Sequence, residues 1–209
     1  MRVWTRLQFR RADDKENDMK NCTALLGLSL ICALPQAARA QTVTPPIVPP
    51  GLEVEAPNQA FLLGRAFGTQ NYECQPVESL GRVGWTLFTP QATLFDDQNE
   101  QIITHFNSPN PDEDRVVRAT WEDSVDTSMV WARAVAAATV DPNAIPWVKL
   151  VRVGARVGPT GGKTLSDTTF VQRVNTHGGL APSTGCDHLP DVGKKAFMPY
   201  TADYFFYKK

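Results

Sequence analysis

From Phe61 onward the chain falls into short runs of alternating apolar and polar residues, each closed by turn-forming residues. Alternation at period two marks a strand with one face buried, because successive side chains of an extended chain point to opposite sides. Gly68 to Gln75 puts Tyr72 and Cys74 on one face, and Val83 to Phe88 carries Trp85 and Leu87. Ala92 to Phe95 and Gln101 to Phe106 flank Asp96-Asp97-Gln98-Asn99-Glu100, a polar cluster that reads as the loop of a hairpin. Val116 to Trp121 and Met129 to Ala136 flank Glu122-Asp123-Ser124 in the same way. The Ala-rich run Trp131 to Thr139 also suits a short helix. Ile145 to Val157, Phe170 to Thr176 and Tyr200 to Tyr207 complete the set. About eight short strands with regular turns predict an all-β sandwich or barrel with few or no helices, in a single domain over 58–209.

The N-terminal residues stand apart from this pattern. After Met19 and Lys20, an apolar run from Ala24 to Leu34 leads through Pro35 to Ala38-Arg39-Ala40. That order is the pattern of a secretory signal peptide over 19–40, with cleavage before Gln41. The run is too short for a membrane span. Residues 1–18 are charged and unpatterned and read as a mis-assigned extension ahead of a start at Met19. Arg10-Arg11 is followed by acidic residues that do not suit a twin-arginine signal, and Ser29-Leu30-Ile31-Cys32 is a poor lipoprotein box. Residues 41–57, rich in Pro, Thr and Val, read as an extended leader. The expected destination is the periplasm or the extracellular space.

Cleavage leaves 169 residues. It removes seven of 21 Lys/Arg and four of 22 Asp/Glu, for a net charge of −4. Neither nucleic acid nor an anionic membrane surface is an expected partner at that charge. Of the four cysteines, Cys74 and Cys186 remain. In an exported chain such a pair is most simply one disulfide. The rival is a zinc site adding His105 and His188, whose ligand types suit the metal but whose spacing does not. No metal or cofactor is expected.

The stretch Thr168 to Asp187 holds the most unusual chemistry. Alternation puts Phe170, Gln172, Val174 and Thr176 on one face and Val171, Arg173 and Asn175 on the other. Either Gln172 or Arg173 therefore points inward and needs a partner there, since burying an unpaired polar or charged group is unfavourable. Gly178-Gly179 permits backbone angles closed to other residues, and Ala181-Pro182-Ser183-Thr184-Gly185 reads as a constrained turn. Arg173 is expected to be partly buried and paired with Asp187, its nearest carboxylate candidate in sequence beyond the turn.

Several landmarks resemble one family. They are Gly68-Thr69-Gln70-Asn71-Tyr72-Glu73-Cys74, Trp85, Pro90-Gln91-Ala92-Thr93-Leu94, Thr104-His105-Phe106 and Ala144-Ile145-Pro146-Trp147. Towards the end come Gln172-Arg173-Val174-Asn175-Thr176, Gly178-Gly179, Ala181-Pro182, Gly185-Cys186-Asp187 and Tyr200-Thr201-Ala202 with Tyr204, Phe206 and Tyr207. The chain is similar over about residues 50 to 207 to the domain of unknown function 3455 family of exported bacterial and fungal proteins. It departs from the family pattern in a longer, charged insert from Asn107 to Thr120. The resemblance implies an exported single domain and no particular activity.

Known catalytic signatures are weak. There is no G-x-G-x-x-G after a strand and no G-x-S-x-G elbow. Gly158 to Thr164 places its first glycine one residue too close to Lys163 for a phosphate loop and reads as a turn. Ser183, His177 and Asp187 supply triad residue types within one loop, whereas triads are assembled across a fold. Asp96, Asp97 and Glu100 suit a solvated turn better than a cation site. Trp85, Trp121, Trp131 and Trp147 read mostly as core. The ligand-binding candidates are His105, Arg173, Asn175 and Asp187, with no catalytic residue assigned. The expected function is a non-enzymatic module that binds an unknown ligand or envelope component. The alternative is a small hydrolase or lyase using His105 with acidic residues, which requires His105, Arg173 and a carboxylate in one cleft.

Overall fold

Eight strands follow one another: β1 (Gln59–Val77), β2 (Arg82–Phe95), β3 (Gln101–Pro109), β4 (Val117–Asp123), β5 (Met129–Ala138), β6 (Trp147–Arg156), β7 (Phe170–Gly178) and β8 (Lys195–Lys208). Each pairs antiparallel with the next, and β8 pairs with β1, so the sheet is a closed barrel. The computed structural model describes residues 43–77 and 82–209. The signal peptide read over 19–40 and the extension read over 1–18 lie outside the described residues. Among the described residues no helix is long and apolar enough to cross a membrane.

The all-β expectation holds, and closure makes it a barrel rather than a sandwich. The runs Val83–Phe88 and Ala92–Phe95 are one strand, which passes through Pro90. β2 pairs with β3 only from Ala92↔His105 to Phe95↔Gln101, so Pro90 lies where β1 is the strand's one ladder partner. A residue without an N–H is tolerated at such an edge. The Ala-rich run is strand β5, held between β4 and β6; pairing on both sides overrides the helical preference of alanine.

One core fills the barrel. Ala66, Leu94, Ile103, Trp121, Val171, Tyr204 and Phe206 belong to it, all buried. Eight strands enclose an interior just wide enough to be filled by side chains or to hold one small ligand. A second apolar cluster lies outside the barrel wall, where Val174, Phe205 and Tyr207 are covered by Val43, Val48 and Val54 of the Pro-rich segment. Leu52 of that segment is buried too.

The middle of β7 is therefore covered on both faces: Gln172 is buried and Arg173 half-buried. Gln172 goes under the Pro-rich segment, donating to Leu52 O at 2.7 Å and accepting from Tyr207 Oη at 2.7 Å. Arg173 faces the barrel interior. The alternation ends at a bulge between Val174 and His177, where Asn175 takes a left-handed φ of 50°.

The charged insert folds on itself beside the barrel. Asn110 is fully buried, and its side chain donates to Glu113 Oε2 and Val153 O and accepts from Asp112 N. Glu113 in turn holds Arg118 through two hydrogen bonds of 2.8 and 2.9 Å.

Candidate ligand-binding site in the barrel

Strand register brings a set of polar side chains together at one level of the interior. Gln70 sits opposite Pro90 on β1 and β2, and His105 opposite Trp121 on β3 and β4. Arg173 lies between Val148 of β6 and Tyr204 of β8. These side chains line a cavity of about 110 Å3, walled otherwise by Leu87, Asn107, Ala119 and Leu150. Leu87 is exposed and Asn107 half-buried. Both lie where β2 has parted from β3, and Asn107 ties the parted strands by bonds to Thr89 Oγ1 and Phe88 O.

His105 is buried and stacks on Trp121, with centroids 4.4 Å apart and planes 6° from parallel. The pair are direct cross-strand neighbours, which brings their Cβ atoms to stacking range. His105 Nδ1 lies 2.8 Å from Thr120 O. A carbonyl only accepts, so Nδ1 carries the proton and Nε2 is left with its lone pair. Burial pushes the imidazole pKa down to about 3, the Thr120 carbonyl opposes this, and the positive charge of Arg173 adds to the fall. At neutral pH the ring is uncharged.

Arg173 Nε and Nη2 both donate to Pro146 O, at 3.2 and 2.9 Å. The expected pair with Asp187 does not form. Asp187 is exposed in the loop after β7, where its carboxylate accepts from Gly185 N at 2.9 Å. The reason is the path of that loop. Cys186 is bonded to Cys74 at the far end of β1, while Arg173 is aimed inward from the middle of β7, where a carbonyl already meets two of its N–H groups. Among the described residues Arg173 makes no ion pair, and no residue lining the cavity is Asp or Glu.

Two further donors at this level lack acceptors. Gln70 Nε2 and Trp121 Nε1 are buried without a hydrogen-bond partner, and both residues line the cavity. A buried donor left unsatisfied costs about 1–3 kcal/mol. The Gln70 amide lies near enough to the Tyr200 hydroxyl to lower its pKa by weak hydrogen bonding, but the approach falls short of hydrogen-bond geometry at Nε2, and that hydroxyl faces Tyr204 Oη at 3.3 Å. Gly179 helps to close the chain over Gln70. Its φ is +78°, and a Cβ there would lie 2.8 Å from Tyr200 Cβ and 3.1 Å from Gln70 Cγ, so glycine is required on both counts.

The family model described as "Protein of unknown function (DUF3455)" matches residues 56–208. The chain belongs to this family. No curated protein and no solved structure matches it. The DUF3455 match starts just before β1 and ends with β8, so it includes every strand that walls the cavity.

Of the four ligand-binding candidates, the barrel brings His105 and Arg173 together. Asn175 and Asp187 lie elsewhere: exposed Asn175 donates to Asp203 Oδ2 at 2.9 Å, and Asp187 stays in its own turn. Cys74 and Cys186 form a disulfide, so neither thiolate is available to zinc, and the described residues hold no cluster of metal-binding side chains. Asp96 closes its turn through bonds from Gln98 N and Glu100 N, and Asp97 pairs with Arg65. Among the described residues no hydrogen bond joins Ser183, His177 and Asp187. The cavity also includes Gln70 and Trp121, which the sequence does not mark as ligand-binding candidates in this DUF3455 chain. The signal for Gln70 was its place in the Gly68–Gln75 alternation, on the inward face shared by Tyr72 and Cys74. Trp121 gave none, because an indole in a strand reads as core whether or not its N–H is satisfied.

Proposed function

We propose that this DUF3455 protein is an exported, non-enzymatic binding module that takes a small ligand into the barrel. The observation that carries this reading is the interior cavity, lined by His105, Trp121, Arg173 and Gln70 and by no carboxylate. General acid–base catalysis is most efficient when the group that carries the proton titrates near the working pH. His105 is held neutral far below that range and its Nδ1–H is committed to Thr120. The acidic residues weighed as partners lie in outer turns. A small apolar pocket with a few converging polar groups is instead the usual form of a ligand site.

The test is a thermal-shift screen of oxidised, mature protein against small molecules of varied charge. Binders are expected to raise Tm, and Ala119→Leu, which puts a larger side chain into the cavity, is expected to abolish the shift. A screen in which nothing stabilises the protein, or in which the shift survives in Ala119→Leu, overturns the reading.

Export is supported by the apolar run ahead of Ala38-Arg39-Ala40 and by the disulfide, which persists in oxidising compartments. Protein recovered from the periplasm or medium is expected to begin at Gln41. Finding residues 20–34 still attached to the recovered protein would refute this.

A further inference from the structure

We propose that the cavity recognises a small carboxylate, seated on Arg173 and on the two unpartnered donors Gln70 Nε2 and Trp121 Nε1, with a short aliphatic tail against Leu87, Val148 and Leu150. The inference rests on the preceding reading and adds the chemical class of the ligand.

A guanidinium has five N–H donors. Pro146 O receives Nε and one Nη2 bond, and no carboxylate of the described residues pairs with the rest. Gln70 and Trp121 are 2% and 0% exposed, and each has a buried donor with no acceptor. The three residues line one cavity, and the protein supplies none of these donors with an anion. A carboxylate answers all three at once: it is acceptor-only, carries about four lone-pair sites and suits the planar fork of an arginine. It also brings the negative charge that the Arg173 side of the cavity lacks.

The remainder of the lining selects the tail. Leu87, Ala119, Val148 and Leu150 are apolar, so the far side of the cavity suits methylenes rather than a second charged group. The volume of about 110 Å3 limits the tail's length. Liquid water occupies about 30 Å3 per molecule, so the space suits a ligand of a few heavy atoms.

The experiment uses oxidised, mature protein with sodium butyrate and its neutral isostere butyramide, read by calorimetry and by the indole N–H proton signals, with Trp121 assigned through Trp121→Phe. Butyrate is expected to bind at least tenfold more tightly than butyramide, to move the Trp121 N–H signal, and to lose at least tenfold in affinity in Arg173→Gln. Trp121→Phe keeps an aromatic ring but removes the N–H, and is expected to lose several-fold. If butyramide binds as tightly as butyrate and both are lost in Ala119→Leu, the cavity is a binding site but the carboxylate assignment is overturned. If neither binds while other compounds from the screen bind in the cavity, the carboxylate assignment also falls. If nothing enters the cavity, the binding reading itself falls. Should Arg173→Gln not fold, the butyrate–butyramide comparison and Trp121→Phe still decide the case.

Discussion

Replacing Cys74 and Cys186 together by alanine is expected to lower the unfolding free energy by about 4–5 kcal/mol in the chain-entropy account of cross-links. The size follows from the length of chain the bond closes. The two cysteines are 112 residues apart, and the loop between them runs from the end of β1 to the loop after β7. The folded state has little reason to change when the bond is gone. Cys74 N still donates to Lys194 O at 2.8 Å and Gly193 N to Cys74 O at 2.9 Å, so the loop remains hydrogen-bonded to β1. Val83 and Trp85 still cover the spot, and Trp85 Nε1 still reaches Thr184 O. The loss therefore falls on the unfolded side, where the freed chain gains conformations. Single domains are stable by only about 5–15 kcal/mol, so the cross-link is a large share of the total. Urea unfolding of the oxidised protein and the double-alanine variant measures it. A loss under about 1 kcal/mol would mean that the closed loop is already restricted in the unfolded chain, and the entropic account would be abandoned.

How far the molecule can be read from its sequence depends on the range of each interaction. Strand identity is local, so the alternating runs and their polar turns reveal eight strands. Closure is not local. It rests on β1 meeting β8 from Gln59↔Lys208 to Glu73↔Lys195, and no residue near either strand announces that pairing, so sandwich and barrel stay equal on sequence grounds. The same distinction separates the two halves of the Arg173 expectation. That Gln172 or Arg173 turns inward follows from period two: Arg173 faces the barrel, half-buried, while Gln172 is buried because the Pro-rich segment covers the outer face of β7. The identity of the arginine's partner depends on where Asp187 travels and on what the segment entering β6 presents, and the partner is the carbonyl of Pro146, one residue before that strand. His105 and Arg173 meet for a reason that strand counting alone cannot supply: they lie at one level of a closed barrel.

Acidification is expected to destabilise the protein through His105, between about pH 6.5 and pH 3. The folded-state pKa is pushed down to about 3, chiefly by burial, from an ordinary value of about 6.5 in the unfolded chain. Between those values the unfolded chain holds a proton on this ring that the folded protein refuses, so the unfolded state gains population as pH falls. The contribution is fully present above about pH 6.5 and is lost progressively down to the folded value. Each unit of difference is worth 1.36 kcal/mol, so the loss between pH 7 and pH 4 is on the order of 3 kcal/mol from this group. Carboxylates titrate over part of the same range, so the control is a variant rather than the wild type alone. His105→Gln retains an N–H able to meet Thr120 O and has no proton to gain. Its stability difference between pH 7 and pH 4, read from urea unfolding at each pH, is expected to be smaller than the wild-type difference by about that amount. Equal losses in the two proteins would show that the ring charges in the folded state. Water would then reach His105 beside Arg173, and the uncharged imidazole in a carboxylate-free interior, on which the binding site rests, would have to be given up.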